Sequence, residues 1–77
     1  MKAIHLNDAL RLLEDGQKHE LKVWSLIHGD IIHYRGAVCI GSFRRGSNHR
    51  ILLTASRQVR EFRDCTLFWI DGLEVYL

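Results

Sequence analysis

The pattern of apolar positions divides the chain into one helical stretch and a longer region of strands. Apolar residues recur at helical spacing across residues 7–15, with Asn7 suited to the N-cap and Gly16 suited to the position just past the end. From about residue 20 to residue 77 the pattern alternates with a period of two, which is typical of antiparallel strands. The chain is therefore expected to begin with one short helix and to continue as a sheet.

The first two predicted strands form a hairpin with Gly29-Asp30 as its two-residue loop. This register pairs Ile27 with Ile32 and places Trp24 opposite Arg35. Alternation then assigns a mainly apolar set to the core face: Leu21, Val23, Ser25, Ile27, Ile32, Tyr34, Val38 and Ile40. The opposite face mixes aromatic, basic and small residues: Lys22, Trp24, Leu26, His33, Arg35, Ala37 and Cys39.

A second hairpin is predicted across Asp71-Gly72, because an Asp-Gly pair between apolar runs is a strong signal for a tight turn. Its register pairs Ile70 with Leu73. The apolar face of this hairpin is predicted to face the core: Phe68, Ile70, Leu73 and Val75. The other face carries a mixed set: Leu67, Trp69, Glu74 and Tyr76.

The segment between the hairpins is expected to complete one small barrel. Residues 51–54 are predicted to form a strand, Gly41 to form a bulge, and residues 56–62 to form a further strand or an extended turn. Five or six short antiparallel strands in one chain must curl to cover their apolar surface. We therefore predict a mainly β (α+β) single domain over residues 1–77, namely a partly open barrel of SH3-like or OB-like kind with one N-terminal helix.

The composition excludes several broad classes of protein. The chain has 77 residues, of which 47% are hydrophobic and 26% charged, so it is expected to fold. No apolar run is long enough to cross a membrane, and the first residues do not resemble a signal peptide. Two cysteines do not make a disulfide framework. These features favour a cytoplasmic location and no membrane partner.

The net charge of +2 hides a strong asymmetry along the chain. Residues 1–43 are neutral, residues 44–63 carry +5 from six arginines and one glutamate, and residues 64–77 carry −3. Arginine presents a planar fork to phosphate and stacks on aromatic rings. This supports the hypothesis of a nucleic-acid surface that combines arginines with an aromatic sheet face: Arg44, Arg45, Arg50, Arg35, Trp24 and His33.

The second face of the predicted sheet favours a different function. It carries more large side chains than the solvent side of a sheet requires, and Trp and Tyr are enriched at interface hot spots. The residues predicted for a protein interface are Trp69, Tyr76, Leu67 and Leu26. The first expectation is a non-enzymatic binding or assembly module that acts through protein–protein contacts or self-association. Nucleic-acid binding is the alternative.

No catalytic, metal or cofactor site is expected. Neither a nucleophile elbow nor a phosphate-binding loop is present, and the histidines and cysteines lack the close pairing that zinc ligands show. His33 and Cys39 lie six residues apart, roughly 20 Å along a strand. The acidic residues are dispersed, so no pair of carboxylates is expected to come together.

Overall fold

The computed structural model describes residues 2–43 and 47–77, with Phe43 by its backbone only, and these residues form one α-helix and seven strands. In chain order the elements are β1 (Ala3–His5), α1 (Leu6–Leu13), β2 (His19–Trp24), β3 (Ile31–Phe43), β4 (Asn48–Leu53), β5 (Gln58–Arg63), β6 (Leu67–Ile70) and β7 (Leu73–Tyr76), with a short 3-10 turn at Asp64–Thr66.

The seven strands form one sheet in the order β1-β7-β6-β2-β3-β4-β5. Every pairing is antiparallel except that of β1 with β7, which is parallel. The predicted mainly β fold with an N-terminal helix is confirmed. The sheet has seven strands rather than five or six, and it stays open between β1 and β5. The additional strand is β1, which is too short to show alternation in the sequence.

The helix begins one residue earlier than its sequence predicts. Its N-cap is His5, whose Nδ1 accepts a hydrogen bond from the Asn7 N–H at 3.1 Å. The prediction of Asn7 as N-cap is therefore wrong, because Asn7 lies inside the first turn. The helix ends at Leu13, and the chain then turns through Gly16 at φ +84°, a conformation that favours glycine.

The loop between β2 and β3 is longer than the predicted two-residue turn. Trp24 pairs with Ile31 at the end of the ladder, which leaves residues 25–30 as the loop. The Ser25 N–H donates to the carbonyl of Asp30 at 2.7 Å and closes this loop. Both pairings predicted for this hairpin are therefore wrong: Ile27 with Ile32, and Trp24 with Arg35. The true register differs by an even number of residues, so the two faces of β2 are still those predicted.

A backbone irregularity at Gly36 exchanges the two faces of β3. Gly36 has φ +62°, and the pairing of β2 with β3 shifts at this position. Tyr34, which precedes Gly36 in the chain, is buried in the core, and so is Ala37, which follows it. Before Gly36 the even-numbered Tyr34 faces the core, and after it the odd-numbered Ala37 does. The prediction that Val38 and Ile40 face the core is therefore wrong. Ile40 is exposed.

Gly36→Ala is expected to lower the free energy of unfolding by about 1–2 kcal/mol, because a side chain at positive φ is strained. The new Cβ would also lie 2.9 Å from Oγ1 of Thr54, which is held in place by its hydrogen bond to the Gly36 carbonyl at 2.8 Å. Urea unfolding measures the loss. Gly16→Ala is the matched control, because Gly16 also has positive φ but a Cβ added there would meet no heavy atom within 4 Å. An equal loss in the two variants would contradict the role of Thr54.

The C-terminal hairpin confirms the prediction made from Asp71-Gly72. Ile70 pairs with Leu73, and the two turn residues have φ +49° and +86°. Positive φ at both central residues is the signature of a type I′ turn, whose twist matches that of the flanking strands.

A shift in the pairing of β6 with β2 corrects the faces predicted for β6. The register changes between Lys22–Trp69 and Val23–Leu67, so Phe68 is an extra residue in the ladder. Phe68 packs on Trp24, with ring centroids 5.1 Å apart. Leu67 is buried in the core, so the predictions of Leu67 as an interface residue and Phe68 as a core-face residue are wrong.

The segment between the hairpins forms β4 and β5. The strand predicted at residues 51–54 begins earlier, at Asn48, and residues 58–63 are a regular strand. The predicted bulge at Gly41 is confirmed, since the pairing of β3 with β4 shifts between Cys39 and Gly41.

The core lies on one side of the curled sheet and is only partly covered by α1. Ala9 and Leu13 of α1 are fully buried there. The helix has eight residues, which corresponds to a length of roughly 12 Å. Its most extensive contacts are with β1, β7 and the 3-10 turn, and the β2–β3 loop and β5 are not among these partners. Among the described residues, no helix has the length and apolar character needed to span a membrane.

Candidate functional site

His19 on β2 lies between two carboxylates at the end of the core that α1 covers. The ring is only 6% exposed. Its Nε2 contacts Oδ1 of Asp15 at 2.8 Å, and its Nδ1 contacts Oδ2 of Asp71. A histidine ring that donates from both nitrogens carries a positive charge. The arrangement ties the segment after α1 to the turn between β6 and β7.

The titration of this cluster follows from its contacts. Burial acts to lower the pKa of His19, but the hydrogen bonds to Asp71 and Asp15, together with their negative charges, raise it overall. The pKa of Asp15 is lowered, first by its hydrogen bond to His19 and then by the bond it accepts from the Gln17 N–H. The cluster is therefore most stable with a charged ring and charged carboxylates.

His49 on β4 forms a second cluster of the same kind. It is 4% exposed, with Nδ1 at 2.5 Å from Oδ1 of Asp64 and Nε2 at 2.6 Å from Oε1 of Glu14. Its ring also stacks on Phe62, with centroids 6.1 Å apart. Glu14 is the C-cap of α1, so this cluster ties the helix to β4 and to the 3-10 turn.

The two clusters correct the expectation that no carboxylates come together. Their four acidic residues are brought from three parts of the chain to two imidazole rings: Glu14, Asp15, Asp64 and Asp71. Both nitrogens of each ring contact a carboxylate oxygen, so neither ring presents an unoccupied nitrogen to a substrate or a metal ion. Within residues 2–43 and 47–77, no group of three His, Cys, Asp or Glu side chains is placed to hold a metal ion.

Cys39 lies near the second cluster and does not have the environment of a reactive thiol. It is partly buried, and its Sγ lies 3.6 Å from the carbonyl of Gly41. Burial is the main cause that raises the pKa of Cys39, and the charges of Glu14 and Asp64 act in the same direction. A raised pKa keeps the thiol protonated and weakly nucleophilic.

The outer face of the sheet brings several predicted site residues together. Trp69 has Lys22 Nζ 4.5 Å from its ring centroid and the His33 ring edge-on at 6.2 Å. His33 is also bonded to Glu20 through Nε2. The half-buried Trp69 is therefore partly covered by its own neighbours, and Glu20 places a negative charge beside the predicted nucleic-acid residue His33.

The remaining predicted nucleic-acid residues lie in separate places. Arg35 is exposed on β3, and Arg50 lies 3.7 Å from Glu61 across the β4–β5 pair. Arg44 and Arg45 lie outside the described residues. Trp24 does not pair with Arg35, so one of the observations that supported nucleic-acid binding is lost. Nucleic-acid binding stays a prediction.

An apolar groove of about 360 Å³ opens at the end of the core that α1 does not cover. Residues from β2, the β2–β3 loop, β3, β4, β5 and the 3-10 turn line it. Seven apolar or aromatic residues define what we call the apolar groove: Val23, Trp24, Leu26, Ile27, Ile32, Tyr34 and Phe62. Its volume and apolar lining are those of a binding cleft. Glu61 and Arg63 of β5 also border it.

Beside the groove, the β2–β3 hairpin presents large apolar side chains to solvent. We call these four residues the exposed tip: Trp24, Leu26, Ile27 and Ile31. Trp24 is 47% exposed, Leu26 66% and Ile27 86%. Neighbouring apolar side chains this exposed on a small domain are characteristic of an interaction surface. Tyr76, the other exposed residue of the predicted interface, lies on β7 against His5, with ring centroids 5.4 Å apart.

No protein-family model, curated protein or solved structure matches this chain. The function therefore rests on the geometry of its own residues.

The alternation of the sequence predicts part of this surface and misses the rest. It places Leu26 and Trp24 on an outer face, which agrees with their exposure. It places Ile27 on the core face, because it continues β2 beyond Trp24, where the strand ends. A signal for the longer loop is present at Ser25, whose hydroxyl oxygen accepts a hydrogen bond from the His28 N–H at 3.2 Å.

Proposed function

We propose that this chain is a small non-enzymatic binding and assembly module that acts through contacts with other protein chains. The contact surface is the apolar groove together with the exposed tip. The observation that carries this proposal is the exposure of Leu26 and Ile27 beside an uncovered end of the core. A chain of 77 residues has little core to spare, and association is a common way for a small domain to bury additional apolar surface.

The partner that we propose is a second copy of this chain. Most oligomers of soluble proteins are symmetric assemblies of identical chains. The charges beside the groove support this choice, because β5 carries both an acidic residue, Glu61, and a basic residue, Arg63, on the strand that borders it. A surface with both signs of charge can be complementary to itself.

The environment of the candidate catalytic groups supports a function without catalysis. His19 and His49 use both ring nitrogens in contacts that join separate elements of the fold, and burial raises the pKa of the Cys39 thiol. The free thiols of Cys39 and Cys65 support the cytoplasm as the location that we propose, because thiols persist in a reducing compartment.

The double variant Leu26→Ser/Ile27→Ser is expected to abolish self-association, because it removes two apolar side chains from the contact surface while leaving the buried core intact. Sedimentation velocity over increasing protein concentration measures the result. The unsubstituted chain should form a species of twice the 9.0 kDa chain mass, and the double variant should remain a monomer.

Ile40→Ser provides the matched control, because Ile40 is also exposed but lies on β3 away from the groove. It should associate as the unsubstituted chain does. Equal association of the double variant and the unsubstituted chain would show that the groove and the tip are not the contact surface.

A further inference from the structure

The outer edge of β5 is an end of the sheet and has hydrogen-bonding groups directed away from β4. The sheet order places β5 last, paired with β4 alone among the described strands. The Asp64 N–H donates to the Ser47 carbonyl at 2.8 Å, and hydrogen-bonded pairs alternate along an antiparallel ladder. The pair His49–Phe62 is therefore hydrogen-bonded, and the main-chain groups of residues 59, 61 and 63 point to the free edge.

One contact supports this assignment. Arg60 Nη1 donates to the carbonyl of Val59 at 3.0 Å, as expected if that carbonyl is directed away from β4. The Arg60 guanidinium therefore covers the free edge of β5 at Val59. Such a contact is one way to protect an exposed strand from indiscriminate pairing. The Arg63 carbonyl accepts a hydrogen bond from Thr66 Oγ1 at 2.6 Å and keeps its second lone pair for a partner strand. The edge that remains for pairing is centred on Glu61 and Arg63.

We propose that β5 pairs with β5 of a second copy, antiparallel and centred on Phe62, so that two sheets join into one. This inference rests on the proposed function, because it specifies how the second copy binds beside the apolar groove. In this register Glu61 of each chain lies opposite Arg63 of the other, and the two residues exchange main-chain hydrogen bonds. The symmetric interface thus contains the same pair of opposite charges twice. Each Glu61 also keeps its contacts within the chain, with Asn48 Nδ2 at 2.9 Å and Arg50 Nη2 at 3.7 Å.

Neighbouring registers are less favourable because they oppose like charges. Shifting the centre to Glu61 places the two copies of Glu61 opposite each other, and shifting it to Arg63 does the same for arginine. Like charges directly opposite across a strand pair are destabilising. The sequence of β5 therefore selects the register centred on Phe62.

This register also brings the partner strand to the apolar groove. Phe62 lines the groove, and the Phe62 side chain of the second copy lies directly opposite it on the same face. The incoming strand therefore covers apolar surface that is otherwise open to solvent. Leu26 and Ile27, which line the same groove, are placed to contact the added strand.

A charge-exchange experiment tests the register. Glu61→Arg and Arg63→Glu are each expected to weaken the dimer by about tenfold or more, because each converts two attractive pairs into two repulsive pairs. An equimolar mixture of the two variants should form a heterodimer, since arginines on one chain then face glutamates on the other. The double variant Glu61→Arg/Arg63→Glu should dimerise as the unsubstituted chain does. Sedimentation velocity measures dimerisation of the two single variants, of their mixture and of the double variant. Arg35→Glu, an exposed charge change outside β5, is the control.

A backbone variant tests the edge without relying on charge. Glu61→Pro removes an N–H that the ladder with β4 does not use, so the monomer should keep its β-sheet circular dichroism and lose dimerisation. Arg60→Pro removes an N–H bonded to β4 and should disrupt β5 itself. A dimer that Glu61→Pro leaves intact would overturn the pairing.

The outcomes distinguish this inference from the proposed function. If Leu26→Ser/Ile27→Ser abolishes the dimer while the charge variants leave it unchanged, the groove is the contact surface and the β5 register is wrong. If the charge variants behave as expected and the double serine variant has no effect, the β5 pairing holds and the proposed contact surface is wrong. A monomer at every concentration of the unsubstituted chain overturns both.

Discussion

His49→Ala is expected to lower the free energy of unfolding by about 3 kcal/mol, the low end of the range for removing two hydrogen bonds to charged groups. The ring is 4% exposed and bonds Asp64 and Glu14 through its two nitrogens. Its removal leaves Asp64, which is only 19% exposed, without this hydrogen-bond partner. It also frees the C-cap of α1 and removes the stacking on Phe62. The value lies at the low end because Glu14 retains access to water.

Urea unfolding of His49→Ala and His28→Ala provides the comparison. His28 is exposed in the β2–β3 loop, so its replacement should change the free energy of unfolding by less than about 0.5 kcal/mol. A loss in His49→Ala as small as that in His28→Ala would show that the second cluster does not hold the helix. His49→Gln should fall between the two, because its amide can donate to one of the two carboxylates.

The stability of the fold is expected to be greatest between the ordinary pKa values of an aspartate and a histidine, 3.8 and 6.5. The pKa of His19 is raised in the folded chain, so its contribution is complete below 6.5 and is lost as the pH rises through the raised value. The pKa of Asp15 is lowered, so its contribution is present above 3.8 and is lost as the pH falls through the lowered value. Thermal unfolding followed by circular dichroism across this range measures both limbs.

His19→Gln tests whether His19 causes the decline in thermal stability at alkaline pH. Glutamine carries no titrating proton, so the decline in thermal stability above pH 6.5 should become shallower in this variant. His33→Gln is the control variant, because His33 lies on the outer face of the sheet and bonds Glu20 rather than Asp15 or Asp71. An alkaline decline that is identical in His19→Gln and the unsubstituted chain would contradict the assignment to His19.

Local turn chemistry allows part of the fold to be predicted. The hairpin at Asp71-Gly72 follows from two adjacent residues that accept positive φ, and its register is fixed by the turn itself. At Gly29-Asp30 the same turn chemistry predicts too short a loop, because the hydrogen bond from Ser25 to Asp30 closes a longer one. The faces of β2 are nonetheless predicted correctly, since an error of even length does not exchange them.

Long-range contacts account for what the sequence could not predict. The partners of His49 are Glu14 and Asp64, which lie 35 and 15 residues away along the chain, and no local pattern indicates that they meet. The irregularities at Gly36 and Phe68 exchange side chains between faces. They depend on how neighbouring strands pair rather than on the residues themselves. The groove follows from these pairings and from where α1 lies.

The two ends of the core explain how one small chain combines a fixed fold with a contact surface. At one end, His49 joins the C-cap of α1 to the 3-10 turn, and His19 joins the segment after α1 to the turn between β6 and β7. At the other end, no residue of α1 lines the groove. A helix long enough to cover both ends would bury the groove and remove the surface that we propose for the partner.

Nuclear Overhauser effects between isotope-labelled and unlabelled copies of the chain test the central claim most directly. Filtered spectra of an equimolar mixture report only contacts between different chains. We expect intermolecular nuclear Overhauser effects from Phe62 and from Leu26 and Ile27, and none from the buried residues of α1. Intermolecular effects confined to other surfaces, or their absence at concentrations where the chain sediments as a dimer, would contradict the claim that the open end of the core is the protein-contact surface.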